Sequence, residues 1–354
     1  MTVESREWYL ASYAPQGVPN SEHLKLRTVR VSLEPHSIPD GHLAIQTLLL
    51  SIDPYIRTRF TGPNNLDGLY FPQFHLNQVI TGVGIGRVKV SKDSKYKEGD
   101  IVLVFGDLPF ADYSVISSTK VSTKIDHPTH DDDAIPLPIY LSCLGCPGFA
   151  AWISIEVIGK PKEGSNVFIS AASGGVGMIA GQLAKLKGCR VIGSTGSDEK
   201  VKLMKEEFGY DDGFNYNKEA DFDAALTKYF PDGIDVYVDN VGGKMLEAVL
   251  DHVNKHARIP LCGMISQYDK VWTERDGVRN LLNLVGKEVR MEGFLIGSYF
   301  NLFDDFAKDM KEYIKEGKLK PKHQINIGIE TALDSLNSLF TSSNNGKVII
   351  QFNA

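Results

Sequence analysis

Cysteine is scarce in this chain, with 4 in 354 residues. So low a density excludes a small disulfide-stapled scaffold. Cys143 and Cys146 form one C-x-x-C, "CLGC", but no second C-x-x-C completes a four-sulfur metal site. The expectation is two small packed thiols ahead of a Pro-Gly turn. Long apolar runs are also lacking, and none reaches the roughly 20 residues of a membrane helix. Positive charge is not in surplus: 38 Lys and Arg stand against 44 Asp and Glu, a net charge of −6. With no basic block either, nothing favours a nucleic acid or an acidic membrane as partner. The opening stretch, "MTVESREWYLASYAPQG", carries an acid and no apolar core, unlike a signal peptide. The cytosol is the expected location. No internal repeat and no low-complexity segment occurs.

What is present is a balanced globular composition, 42% hydrophobic and 23% charged. The length suggests two domains, at about 150 residues each. The first third reads as β structure: "HLKLRTVRVSL" alternates, "HLAIQTLLLSI" is mostly apolar, and "DIVLVFG" follows "KEGD". Glycine-rich turns are expected between these strands, "GVGIGRVKV" among them. Such closely spaced strands suggest a barrel or folded sheet. After "HPTHDDDAIPLPIYL" the texture changes to strands alternating with helices. "SNVFIS", "CRVIGST", "GIDVYVDNVGG", "ARIPLCGMIS" and "EVRMEGFLIG" are the apolar strands, and "SDEKVKLMKEEFG" is one of the helices. That alternation predicts an α/β fold, a doubly wound parallel sheet with ligands bound at the carboxyl ends of its strands. The tail, from "KPKHQINIG" to "GKVIIQFNA", returns to short strands around one helix.

The densest glycine run is "AASGGVGMIAGQLAK", between the strand "SNVFIS" and a helix. Ala172, Gly174 and Gly177 hold the G-x-G-x-x-G spacing, with alanine in the first place. Gly174 lets the backbone approach a pyrophosphate, Gly177 lets helix pack on strand, and the helix N-terminus attracts the anion. The strand-before, helix-after context makes the loop Ala172, Ser173, Gly174, Gly175, Val176 and Gly177 a dinucleotide cradle. An NAD-type site carries an acid about 20 residues further on. Ser194, Thr195 and Gly196 occupy that place here. Asp198 and Glu199 come later, as first-turn residues of a helix capped by Ser197. Lys200 then lies where a 2′-phosphate would be met, and NADP(H) is the predicted cofactor.

With "LSIDPYIRTR", "GSDEKVKLMKEEFGYDDGFNY", "YVDNVGG", "CGMISQY" and "NNGKVII" added in that order, the chain resembles the zinc-independent medium-chain dehydrogenases/reductases. Within them it is most similar to the alkenal and enone (double-bond) reductases typified by leukotriene B4 12-hydroxydehydrogenase and its plant counterparts. The resemblance implies a GroES-like β domain built from both ends, 1–133 and 317–354, around a Rossmann NADP-binding domain at 134–316. It implies reduction of an activated carbon–carbon double bond. It also implies that Ser197, Lys200 and Tyr216 surround the 2′-phosphate, and that Pro54, Tyr55, Asn240 and Asn344 contact the cofactor. The run Cys262, Gly263, Met264, Ser266 and Tyr268, with Phe294, Leu295 and Ile296, would line the nicotinamide end. A homodimer is implied as well. The chain departs from plant relatives after "PG", reading "GFAAW" rather than with a Thr-Ala-Tyr, so Ala150 and Trp152 leave the pocket shape open.

Zinc alcohol dehydrogenases of this architecture carry a Gly-His-Glu ligand motif and a lobe of four close cysteines. Neither occurs here, and none of the histidines, His75, His127 and His130 included, pairs with a cysteine at ligand spacing. No metal is expected. Hydride addition to an enone instead needs donors aimed at the carbonyl oxygen, where negative charge grows. Tyrosine suits that role, since its pKa of about 10 keeps it protonated. Tyr268 is the first candidate donor and Tyr55 the second; packing against the cofactor is the alternative for each. Two other functions fit the same residues: a quinone oxidoreductase of the same superfamily, and a non-catalytic NADPH-binding protein.

Overall fold

The computed structural model describes residues 1–63, 71–125 and 135–353. His127 and His130 lie outside the described residues. Two units are present: one comprises 1–141, 323–344 and 348–354, the other 142–322 and 345–347.

In the first unit, β1 (Thr2–Leu10) and β2 (Leu24–Ser32) form an antiparallel pair. They are followed by β3 (His42–Ser51), β4 (Thr81–Ser91), β5 (Ile101–Pro109), β6 (Tyr113–Ser117) and β7 (Val121–Ile125). The core between them holds Leu10, Leu43, Ile45, Leu50, Phe60, Phe74 and Val104. The stretch "GVGIGRVKV", expected as a turn, is instead the middle of β4. Its glycines serve close packing between strands. A Cβ on Gly84 would stand 2.6 Å from Leu108 and 2.7 Å from the Leu49 carbonyl, and one on Gly86 only 2.1 Å from Ile45. Glycine inside a strand marks such an approach as often as it marks a turn.

The second unit opens with α1 (Cys146–Trp152). The Pro147–Gly148 pair, expected as a turn, lies in its first helical turn, where proline's missing N–H costs nothing. The chain then alternates: β8 (Asn166–Ile169), α2 (Gly177–Leu186), β9 (Arg190–Thr195), α3 (Asp198–Glu206), β10 (Asp212–Asn215), α4 (Phe222–Tyr229), β11 (Ile234–Val238), α5 (Gly243–His252) and β12 (Val253–Leu261). It ends with α6 (Leu282–Gly286), β13 (Arg290–Gly293) and α7 (Phe303–Lys315). All six strands run parallel in the order β10-β9-β8-β11-β12-β13. The order reverses between β8 and β11, the switch point at which such sheets open a crevice. Phe168, Phe214, Phe230 and Tyr237 fill one face, with Phe168 and Tyr237 stacked at 5.0 Å.

The chain returns to the first unit through β14 (His323–Ile327), α8 (Ala332–Ser338) and β15 (Lys347–Gln351). β15 pairs with β3, so the first unit's sheet runs β14-β15-β3-β4-β5-β7.

Candidate active site

At the carboxyl end of β8 the chain turns sharply. Ala171 takes a left-handed φ of 50°, rare for a residue with a Cβ. Its carbonyl accepts the Gly174 N–H at 2.9 Å. Ala172 donates its N–H to the Ser194 carbonyl at 3.0 Å, and Ser173 Oγ lies 3.0 Å from Thr195 Oγ1. The loop is therefore tied to the end of β9. A Cβ on Gly177 would stand 2.4 Å from the Ala171 carbonyl and 2.7 Å from Ala172 Cα, so only glycine lets α2 start there. Val176 precedes α2, and Gly174, Gly175 and Val176 are part-exposed. This bare turn at a helix N-terminus fits a pyrophosphate.

Lys347 was not foreseen from the sequence. Its Cδ lies 3.3 Å from where a Gly175 Cβ would be, so its stem flanks the loop. The only signal was its position after Gly346 in "NNGK", where a Gly346 Cβ would collide with the Lys322 carbonyl.

Beyond β9, Ser197 caps α3 as expected, its Oγ accepting the Lys200 N–H at 3.3 Å. Asp198 is taken up by Lys218 and Asn215. Ser194 and Thr195 are buried and Gly196 follows, so no carboxylate stands at the end of this strand. The Lys200 side chain is 9% exposed, and burial pulls its ammonium below the ordinary lysine value. An arriving phosphate would relieve that cost. Tyr216 follows β10, half-buried, with its N–H on the Thr195 carbonyl at 3.0 Å.

At the ends of β11 and β12 the backbone is closely knit. Asn240 donates its side-chain amide to the Ser170 carbonyl at 2.8 Å and its N–H to Ser170 Oγ at 3.0 Å, so it is more than a turn residue. Ile265 donates its N–H to the Asn240 carbonyl at 3.2 Å, and Ser266 Oγ donates to the Val241 carbonyl at 2.6 Å. These bonds fold the run from Cys262 to Tyr268 into a compact loop. In it the Tyr268 hydroxyl accepts the Met264 N–H at 3.0 Å. A Cβ on Gly263 would lie 3.2 Å from that hydroxyl, so glycine makes the room. Burial pushes the Cys262 thiol up to about 12, and the nearby Asp239 pushes in the same direction. Cys262 is thus a neutral thiol at physiological pH. Phe294, Leu295 and Ile296 follow β13, with the Phe294 ring 6.1 Å from Tyr299 and edge-on to it.

In the first unit, Pro54 and Tyr55 open a 3₁₀ turn, Pro54–Phe60. The Tyr55 ring lies 4.9 Å from Phe71. Asn344 is half-buried in the loop before β15. Cys143 and Cys146 carry no disulfide, and burial pushes the Cys143 thiol up to about 12. Trp152 turns its N–H to Asp309 at 3.0 Å and its ring to Phe306 at 6.2 Å, so the departure in "GFAAW" is absorbed by packing between α1 and α7. Among the described residues, no group of three or more His, Cys, Asp or Glu side chains is placed to hold a metal ion.

Comparison with known proteins accords with this layout. Residues 6–124 match the N-terminal domain of oxidoreductase family and residues 175–315 the zinc-binding dehydrogenase family. Over 98% of this chain and 97% of its own length, the NADP(+)-dependent 2-alkenal reductase of Nicotiana tabacum is 41% identical. The chain belongs to the medium-chain dehydrogenase/reductase family. Its fold is the Rossmann doubly wound sheet together with a GroES-like β domain. The (+)-pulegone reductase of Mentha piperita is 38% identical over 98% of both chains. The NADPH-dependent curcumin reductase of Escherichia coli is 34% identical over 98% of this chain and 96% of its own. Among solved structures, CurA from Vibrio vulnificus in complex with NADPH superposes with a TM-score of 0.86, at 33% identity over 99% of both chains.

Proposed function

We propose that this protein is an NADP(H)-dependent reductase of the α,β double bond of enals and enones. The observation that carries the reading is the full-length likeness to alkenal, pulegone and curcumin reductases. The carboxyl ends of the strands support it, with a glycine cradle after β8 and Ser194, Thr195 and Gly196 rather than an acid where β9 ends. The nucleotide binds along the second unit: Ala172, Ser173, Gly174, Gly175, Val176 and Gly177 at the pyrophosphate; Ser197, Lys200 and Tyr216 at the 2′-phosphate. Asn240, Cys262, Gly263, Met264, Ser266, Tyr268, Phe294, Leu295 and Ile296 serve the nicotinamide side. Pro54, Tyr55 and Asn344 are further cofactor contacts on this reading. In domain terms, 134–316 carries the cofactor and 1–133 with 317–354 is the GroES-like part.

NADPH, when bound, supplies the hydride taken up at the β-carbon of the substrate. The chain's own task is to hold the carbonyl oxygen as charge builds there. Tyr268 is the first donor. Its oxygen already accepts the Met264 N–H, which polarises the phenol and strengthens the O–H as a donor. Tyr55 is the second donor. No step needs a metal, and the protein is active without zinc. A panel of simple enals, enones and quinones, followed by NADPH absorbance, tests the reading. Turnover confined to quinones would favour a quinone oxidoreductase, and tight NADPH binding without turnover on any of them a binding protein. Cell fractionation tests the cytosolic placement.

The active form is a homodimer that joins two copies edge to edge at β13. This strand ends the six-stranded sheet, and an open edge is a template for pairing. In the chain on either side of it, Leu281, Leu282, Val285, Leu295 and Phe300 are exposed. An antiparallel two-fold pairing about Met291 sets Arg290 of each copy opposite Glu292 of the other, a charge-matched register.

A further inference from the structure

One residue outside the predicted site joins the ends of three strands, its side chain bonding at β8 and β11 and its backbone at β12. Asp239, directly after β11, is fully buried. Its Oδ1 accepts the Val241 N–H at 2.9 Å, the Gly242 N–H at 2.8 Å and the Tyr237 hydroxyl at 2.7 Å. Ser170 Oγ lies 3.4 Å from the same oxygen and accepts the Asn240 N–H at 3.0 Å. Ser170 is the residue from which the glycine loop departs. The Asp239 carbonyl meanwhile accepts the N–H groups of Cys262 and Gly263 at 2.9 and 3.1 Å. Its own N–H donates to the Pro260 carbonyl at 3.0 Å. The loops after β8, β11 and β12 therefore meet at one residue. Each of them carries residues assigned above to the nucleotide.

Burying a carboxyl is costly, and here burial outweighs its donors and pushes the group above the usual carboxylate range. A surface residue could not bond to buried N–H groups, and a smaller one would leave them unsatisfied. The two oxygens are unequal. Oδ1 takes every side-chain bond, and Oδ2 is buried without a partner among the described residues.

We propose that Asp239 is a positioning residue: it fixes the glycine loop, Asn240 and the loop bearing Tyr268 in one arrangement that binds NADPH and aims the Tyr268 hydroxyl. The proposal rests on the reductase reading above. Asp239→Ala removes the shared acceptor. Asp239→Asn keeps an oxygen at the Oδ1 position and puts its amide where Oδ2 has no partner.

The test measures the NADPH dissociation constant by cofactor fluorescence, and kcat with methyl vinyl ketone at saturating NADPH, both well below the melting temperature. Asp239→Ala should weaken NADPH binding at least tenfold and lower kcat at least tenfold, with Asp239→Asn within about fivefold of wild type in both, a fold-change worth about 1 kcal/mol. Ile259→Val, a buried trim on β12, should lower the melting temperature and leave NADPH binding unchanged. If Asp239→Ala does not fold, Ser170→Ala carries the test, with at least threefold weaker NADPH binding expected. A folded Asp239→Ala that binds and turns over as wild type does, or an Asp239→Asn as impaired as the alanine variant, overturns the proposal. So does unchanged binding in Ser170→Ala where the alanine variant is lost. Wild-type protein that fails to bind NADPH would instead overturn the reductase reading.

Discussion

At the scale of single residues, two side chains carry the sharpest expectations. If Lys200 meets the 2′-phosphate as proposed, Lys200→Ala removes a charge-assisted contact worth about 1.5–3 kcal/mol. NADPH affinity should fall roughly ten- to a hundredfold, with little change for NADH; equal losses for both, in a binding titration, would make Lys200 structural. The direction of its pKa adds a pH signature. Burial lowers the Lys200 pKa from 10.5, so the free protein loses this positive charge at a lower pH than an ordinary lysine does. Above neutrality, where the 2′-phosphate is fully charged, discrimination for NADPH over NADH should therefore decline as pH rises toward 10.5 and be flat in Lys200→Ala. Tyr268→Phe keeps the ring and removes the hydroxyl. Loss of one oxyanion donor costs about 10²–10³ in kcat when it acts alone. With Tyr55 as a second donor, a fall of roughly ten- to a hundredfold in kcat is expected, with KM for NADPH nearly unchanged. A kcat within about twofold of wild type, alongside an inactive Tyr55→Phe, would reverse the two roles.

At the scale of elements, the start of α2 is the stringent point. A Gly177→Ala methyl would meet backbone, the Ala171 carbonyl at 2.4 Å, rather than a side chain that can swing away. Overpacking of this kind costs about 1–3 kcal/mol. A lowered melting temperature should therefore accompany weakened NADPH binding, and an unchanged dissociation constant would show that the loop tolerates a shift. The parallel sheet is legible in the sequence because β8, β9 and β11 are short, mostly apolar and largely buried runs. So is the cradle, because its glycines stand between a strand and a helix. β10 was not marked: it is four residues long, and Gly213 is there because a Cβ would press within 1.8 Å of Met204. β4 differs from the expected turn because glycine that permits close strand packing has the same letter as glycine that turns. The role of Asp239 left no local signal, since its partners are brought together only by the fold. Lys347, far along the chain from the glycine loop it flanks, was hidden for the same reason.

At the scale of the whole molecule, the exposed apolar side chains around β13 make association measurable. On the proposed pairing, light scattering should find a dimer that paired Leu282→Glu and Val285→Glu convert to a monomer; an unchanged dimer mass would place the interface elsewhere, and a monomeric wild type would overturn the pairing. Metal analysis should find no zinc in an active preparation; one zinc per chain with activity lost on chelation would reverse that expectation. The position of β15 has a further consequence, one of timing. It lies between β14 and β3, yet it is made of residues 347–351 of a 354-residue chain. A ribosome adding roughly 5–20 residues per second delivers it some fifteen seconds to a minute after β3 has emerged. The strands of the parallel sheet, all complete by residue 293, are in hand before then. During that interval the apolar "LLLS" edge of β3 is an unclosed seam on a nascent chain. A stop codon placed just before Lys347 would leave it open for good, and such a product is expected to reach the insoluble fraction of cells although every residue of the glycine cradle has been made.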